Sequence, residues 1–484
     1  MIADLKPYGA YKDSGLAWLG QVPEHWGQRR MKFLFKERSQ KGFPDEPLLA
    51  ATQIKGVVRK EDYGTRTVTA MKDFHLLKLV ETGDFVISLR SFEGGIEVAH
   101  CRGIISPAYT VLTPTHDASQ AYYGRFFKSP DFIRSLTLFV TGIREGQNID
   151  YERMSRAYMP LPPIEEQLAI GRFLDWANGR LERTVRAKRR VIALLNEQKQ
   201  AIIHRAVTRG LDPDAPLKPS GIEWLGEIPQ HWEIRPLKAV CQIQSGTTLG
   251  KDYAGQPTHE IPYLRVANVQ AGYVSLKVIK KIAVPPSEAN RRLLQAGDVL
   301  MTEGGDVDKL GRGCVWQAQL SPCLHQNHVF AVRPNQTKLE SQFLSALLGI
   351  GYARAHFQST AKQTTNLAAT NKTKIGQLSV LLPTVEEQRQ ILAYLEIETQ
   401  PVDTTISRLH REIDLLREYK TRLVADVVTG KLDVREAAAR LPQTTDEPAS
   451  QAGGLDAGTE SEGEDESEEG EEDSDSDAMT KAPA

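Results

Sequence analysis

The sequence predicts an α+β chain: two mixed α/β modules separated by two long antiparallel helices of coiled-coil type, an internal duplication with pseudo-twofold symmetry, and a disordered acidic C-terminal tail. Three observations carry this. Residues 14–26, SGLAWLGQVPEHW, return as 220–232, SGIEWLGEIPQHW, at an offset of 206. Residues 161–167, LPPIEEQ, return as 382–388, LPTVEEQ, at an offset of 221, and the similarity continues from 193–212 into 414–433. Fixed-offset repetition of several motifs in one order marks a duplicated unit. Finally, the segments after each EEQ carry an apolar seam spaced by seven.

Taken in order, residues 1–163 form the first module, 164–212 the first helical spacer, 213–384 the second module, 385–433 the second spacer and 434–484 the tail. Each module reads as short β-rich runs broken by Gly and Pro, with Gly-Asp opening GDFVIS (83–88) and GDVLMT (297–302). In the second spacer Leu395, Val402, Leu409, Leu416 and Leu423 form the seam, with Ile406, Ile413 and Val427 between them. In the first, Leu174, Leu181, Leu195 and Ile202 hold the same register, with Val185, Ile192 and Ala206 between and Lys188 where Leu409 falls. Lys199 and Lys420 interrupt the two seams at matching positions. Gly179 and Pro401 predict a break in each spacer, leaving long helices over about 180–209 and 401–429, each spanning roughly 43 Å. A narrow apolar seam needs a partner, and the duplicate helix supplies one.

The formal net charge of −2 conceals an asymmetry. Residues 441–484 hold 15 Asp or Glu and one Lys, a composition that cannot bury enough apolar surface to fold. Residues 1–440 hold 59 Lys and Arg against 47 Asp and Glu, a net charge of +12 that suits a polyanionic partner. No run of about 18 apolar residues occurs, and the first residues lack the pattern of a secretory signal. The four cysteines are scattered, as expected of reduced thiols, so the expected location is cytoplasmic, with no membrane partner.

No catalytic constellation stands out. GTTLGK (246–251) is one residue short of a phosphate loop and lacks the Ser or Thr after its lysine. Cys314, Cys323, His325 and His328 have no metal-site spacing. Two related but different modules on a basic body describe a binder, and Arg, Lys, Asn, Gln and Ser are the side chains that read base edges and grip phosphates. The candidate DNA-binding residues of the first module are Arg90, Ser91, Arg102, Arg144, Gln147 and Asn148. Those of the second are Arg265, Asn268, Lys309, Arg312, Gln326, Asn327, Lys362, Gln363 and Asn366. REGQN (144–148) and KQTTN (362–366) occupy matching places before the LP-EEQ motif.

The WLG-x-P-x-HW segment, the Gly-Asp strand, SPAYTVL (106–112) and LPP-x-EEQ before a long helix together resemble the DNA specificity subunit of type I restriction-modification systems. The resemblance covers about residues 12–433. It implies two target recognition domains, each reading half of a bipartite, asymmetric site in double-stranded DNA, and two helices acting as spacer. It implies no catalysis and no cofactor on this chain. The implied partners are two modification subunits, which use S-adenosylmethionine to methylate adenine, and restriction subunits, which use ATP and Mg²⁺ to translocate and cleave. A span of roughly 43 Å corresponds to about 13 base pairs. The acidic tail departs from the family's pattern. Two other readings are a coiled-coil scaffold whose modules bind proteins, and an enzyme acting on nucleic acid alone.

Overall fold

Each module is built on a four-stranded antiparallel sheet with the same spatial order of strands. In the first, Phe35–Arg38, Thr110–Pro114, Phe85–Ile87 and Glu97–Val98 lie side by side. In the second, the order is Cys241–Ser245, Val329–Pro334, Val299–Thr302 and Gly313–Val315. The computed structural model describes residues 5–63, 73–141, 148–222, 225–253, 255–305, 313–360, 362–363 and 368–442; the acidic stretch beyond lies outside them.

The repeated Gly-Asp explains itself in these sheets. Gly83 and Gly297 take φ of +92° and +90°, the left-handed region in which a side chain is strained. The aspartate that follows turns inward. Asp84 accepts hydrogen bonds from Arg38 Nε (2.8 Å), Thr113 Oγ1 (2.9 Å) and the Glu81 amide (2.8 Å). Asp298 accepts from Arg333 Nε and Nη2 (both 2.7 Å) and from the Gln295 amide (2.8 Å). A buried carboxylate is tolerated only with such full pairing.

The two spacers are continuous helices, Ile164–Arg209 of 46 residues and Val385–Val428 of 44 residues. The expected breaks at Gly179 and Pro401 do not occur. A Cβ at Gly179 would meet nothing, and Pro401 sits on the solvent face. Each break would cost its helix the seam on both sides, whereas a solvent-facing proline loses one backbone bond. At about 1.5 Å per residue the helices run roughly 69 and 66 Å. Their seam residues are buried or half-buried, with Leu174, Leu181, Ile192, Leu395, Val402, Ile413 and Leu423 fully inside. Ion pairs fix the direction. Glu182 faces Lys420 (2.7 Å), Lys188 faces Glu412, and Lys199 faces Asp403 (2.6 Å), so numbering rises along one helix as it falls along the other. The lysines that interrupt the seams therefore bind the two helices together.

Each module packs against the start of one helix and the end of the other. The first module's core takes in Ile170, Phe173, Leu174 and Ala177 from the first helix, and Leu423, Val427 and Val428 from the second. The second module's core takes in Ala206 and Val207 from the first helix, and Ile391 and Leu395 from the second. Between these footprints lie 28 bare residues of the first helix (178–205) and 27 of the second (396–422), roughly 42 and 41 Å. The chain after the second helix continues into the first module. Asp433 donates its amide to the Lys6 carbonyl (2.8 Å), and the short helix Arg435–Ala439 buries Ala437 and Ala438. Residues 434–441 therefore fold onto the first module, and the expected tail begins later than 434.

Candidate nucleic-acid interface

What the repeated motifs do is visible in their contacts. Glu166, the second Glu of the first EEQ, accepts from Trp26 Nε1 (2.8 Å) and Tyr8 Oη (2.6 Å) and lies 2.7 Å from His25 Nε2. Glu387 repeats this, accepting from Trp232 Nε1 (2.9 Å) with His231 Nε2 at 3.0 Å. The next residue caps a neighbouring helix. Gln167 accepts from the Ser119 amide (2.8 Å) and donates to the Asp117 and Pro162 carbonyls (both 2.9 Å). Gln388 accepts from the Glu340 amide (2.8 Å) and donates to the Lys338 (2.9 Å) and Pro383 (3.0 Å) carbonyls. The HW and EEQ motifs are thus clasps that fix each module to a helix start. The end of the opposite helix closes on the same place, with Gly430 against Trp26 and Pro23, and Gly210 against Trp232 and Pro229. These residues hold structure, which leaves recognition to the segments between them.

Those segments converge at one end of each sheet. In the first module the strand Phe85–Ile87 runs out into Arg90 and the short helix Ser91–Gly94, which packs against the strand Asn148–Ile149. That strand pairs with Val140–Thr141 in a ribbon. Arg144 and Gln147 fall in its connection, outside the described residues, and of Asn148 only the backbone is described. Arg90 is exposed at this edge. Ser91 is buried, and its Oγ accepts from the Ser88 amide (2.8 Å). Arg102 is elsewhere, held in an ion-pair network by Glu46 (2.8 Å) and Glu81.

The second module repeats the arrangement with other residues. After Val299–Thr302 the chain forms Gly304–Gly305, paired to Ala368–Ala369, which in turn pairs with Lys362–Gln363. The backbones of Lys362 and Gln363 thus lie beside the strand exit, while Lys309, Arg312 and Asn366 fall outside the described residues. Gln326 and Asn327 join the same place: the Glu303 amide donates to the His328 carbonyl (2.8 Å), and His328 Nδ1 lies 2.6 Å from Glu303 Oε2. Both side chains are half-exposed. Arg265 and Asn268 belong to a separate loop. Asn268 is buried, accepting from the Arg265 amide (2.9 Å) and donating to the Ser275 (2.9 Å) and Val278 (3.0 Å) carbonyls. Ser91 and Asn268, expected as candidate DNA-binding residues, are buried here with their polar atoms occupied by neighbouring backbone.

Among the described residues no group of three or more His, Cys, Asp and Glu is placed to hold a metal ion, and no helix is long and apolar enough to cross a membrane. Cys314, Cys323 and His325 are core residues. Burial pushes the His325 imidazole down to about 4, and its Nδ1 donates to the Val329 carbonyl (2.6 Å). Sequence reasoning missed one element at the first site, the hairpin tip of residues 53–55. Its signal was TQIKG between two β-branched or small runs, a turn pattern with no charge cluster to draw notice.

Comparison with known proteins agrees with this architecture. Residues 229–413 match the family described as the type I restriction modification DNA specificity domain. The putative type I restriction enzyme MjaX specificity subunit of Methanocaldococcus jannaschii is 28% identical over 211 residues, covering 42% of this chain. The chain spans about half the length of that relative, 47%. The type I restriction enzyme EcoKI specificity subunit of Escherichia coli is 24% identical over 367 residues, covering 71% of this chain and 75% of that protein. A solved chain described in terms of complex assembly and conformational transition of the type I R-M system shares the fold. Its TM-score is 0.58 at 18% identity, over 85% of this chain and 99% of that one. The chain is similar to type I restriction-modification DNA specificity subunits, and its residues 229–413 carry the match to their DNA specificity domain.

Proposed function

We propose that this chain is a non-catalytic, sequence-specific DNA-binding subunit that reads a bipartite, asymmetric site and directs adenine methylation and restriction by partner subunits in the cytoplasm. One observation carries the reading. Two modules with one sheet order, but different residues at the strand exits, are clasped at opposite ends of a helix pair by equivalent Glu and Gln residues. We read this as an internal duplication about a pseudo-twofold axis. The Lys199–Asp403 and Lys420–Glu182 pairs support it, since an offset of 221 converts each into the other with its partners exchanged. Because the exits differ, the two half-sites differ. The bare helix span of roughly 40 Å sets the unread gap at about 12 base pairs.

Partners follow from the same symmetry. Leu194 and Leu415 are equivalent positions and stand 58% and 57% exposed on the bare stretch of the helix pair. Two equivalent apolar spots suit two copies of one partner, the modification subunit, which brings S-adenosylmethionine. The restriction subunits bring ATP and Mg²⁺. The acidic tail we read as a solubilising extension.

The test is a module swap. Replacing residues 27–160 by the corresponding segment of another specificity subunit, in the complex with the modification partner, will replace one half-site and leave the other and the gap unchanged. Change in both half-sites, or none, contradicts the reading.

A further inference from the structure

Strands Leu49–Thr52 and Gly56–Arg59 of the first module form a two-stranded antiparallel ribbon. Its base is rooted, because Leu49 and Val57 are buried with Val80, Val86, Ile105 and Val111. Its tip is held as firmly. The Thr52 hydroxyl donates to the Gly56 carbonyl (2.9 Å) and accepts from the Lys55 amide (3.0 Å). Gly56, at φ +74°, lies so close to the Val98 carbonyl that a Cβ would come within 2.7 Å. The Lys128 ammonium donates to the Gln53 carbonyl (3.1 Å), to the Gly94 carbonyl (2.8 Å) and to the buried Glu97 carboxylate. The Gln53 side chain lies over Gly94, where a Cβ would come within 2.6 Å of it. One lysine thus locks the ribbon tip to the turn that carries Arg90.

Ile54 stands at the apex of this fixed tip, 96% exposed, the most exposed large hydrophobic side chain among the described residues. It borders a cleft of about 480 Å³ lined by Lys55, His100, Arg125 and Lys128 and by the acidic Glu97 and Asp175, which pair with Lys128 and Arg125. A rigid mount denies the isoleucine any local cover, so only a partner surface can bury it. The duplex major groove admits a two-stranded β-ribbon, and the apolar group that base edges display there is the thymine 5-methyl.

Resting on the DNA-reading function above, we propose that the 53–55 tip enters the major groove of the first half-site and packs Ile54 against a thymine 5-methyl. Lys128 acts as the positioning residue that registers the tip on the Arg90 turn. Recognition by the first module then has an apolar component beside its polar one. The second half-site, read by the other module, serves as an internal control.

The experiment uses the full chain with its modification partner and duplexes carrying the bipartite site, in which each thymine is exchanged singly for uracil. The native protein will lose roughly four- to tenfold in affinity at one thymine of the first half-site, the size expected for burial of one or two methyl-sized groups. Ile54→Ala will bind the thymine and uracil duplexes alike, and Lys128→Met will weaken the same discrimination, both with the second half-site unaffected. The proposal is overturned if Ile54→Ala keeps the discrimination, if no thymine of the first half-site shows any, or if Lys128→Met weakens both half-sites equally. A native protein without bipartite preference would instead remove the DNA-reading function itself.

Discussion

Glu166 and Glu387 occupy equivalent clasps but not equivalent environments. The Glu166 side chain is 4% exposed and accepts from Tyr8, Trp26 and His25, while that of Glu387 is 22% exposed and meets Trp232 and His231. Removing a buried acceptor strands its donors, at a cost of about 1–3 kcal/mol or more when the acceptor is charged. Glu166→Ala should therefore lower stability by about 3 kcal/mol in urea unfolding, and Glu387→Ala by about half as much. His325 offers a second test. Its folded pKa of about 4 lies below the roughly 6.5 of an unfolded histidine, so between these values the unfolded chain binds a proton that the folded one refuses. The contribution of His325 is fully present above about pH 6.5, falls as pH drops through that window, and levels off near pH 4. His325→Gln should flatten this part of the acid-stability profile, as unfolding at stepped pH will show.

The helices carry the clearest contrast between sequence and structure. The seam over Leu395, Val402, Leu409, Leu416 and Leu423 was legible because period alone determines which residues face inward. Continuity through Gly179 and Pro401 was not, since a break signal is local while the packing that overrides it lies on another helix. The same limit hid the role of Lys199 and Lys420, which read as blemishes until Asp403 and Glu182 are brought opposite. Exposed pairs of this kind contribute at most about 1 kcal/mol each. Reversing Lys199→Glu alone should cost stability, and adding Asp403→Lys should restore most of it; a double-mutant cycle by thermal unfolding measures the coupling. Within the modules, the Gly-Asp strands were legible as a repeat, yet only the inward hydrogen bonds explain them. Arg90, Gln326, Asn327 and the backbones of Lys362, Gln363 and Asn148 do gather at strand exits, whereas Ser91 and Asn268 do not remain free. Composition tells which side chains can bind DNA, and burial decides which of them can reach it.

At the scale of the whole molecule, the two modules are held apart by roughly 40 Å of helix, and under the proposed function the gap between half-sites follows from that length. Inserting four residues after Val191 and four after Glu412, near the middle of both bare spans, lengthens the pair by about 6 Å and should widen the tolerated gap by about two base pairs. The half-site sequences should not change. A basic body of +12 over residues 1–440 also predicts phosphate contacts, and so a steep fall of affinity with rising salt, where a protein-binding scaffold would be nearly indifferent. Selecting bound duplexes from a random library with the full chain and its modification partner, then sequencing them, decides whether the protein reads a bipartite site. The expected result is one asymmetric motif of two unlike halves separated by a fixed, unread gap of about one helical turn. A single contiguous motif, two identical halves, or no enrichment would contradict it.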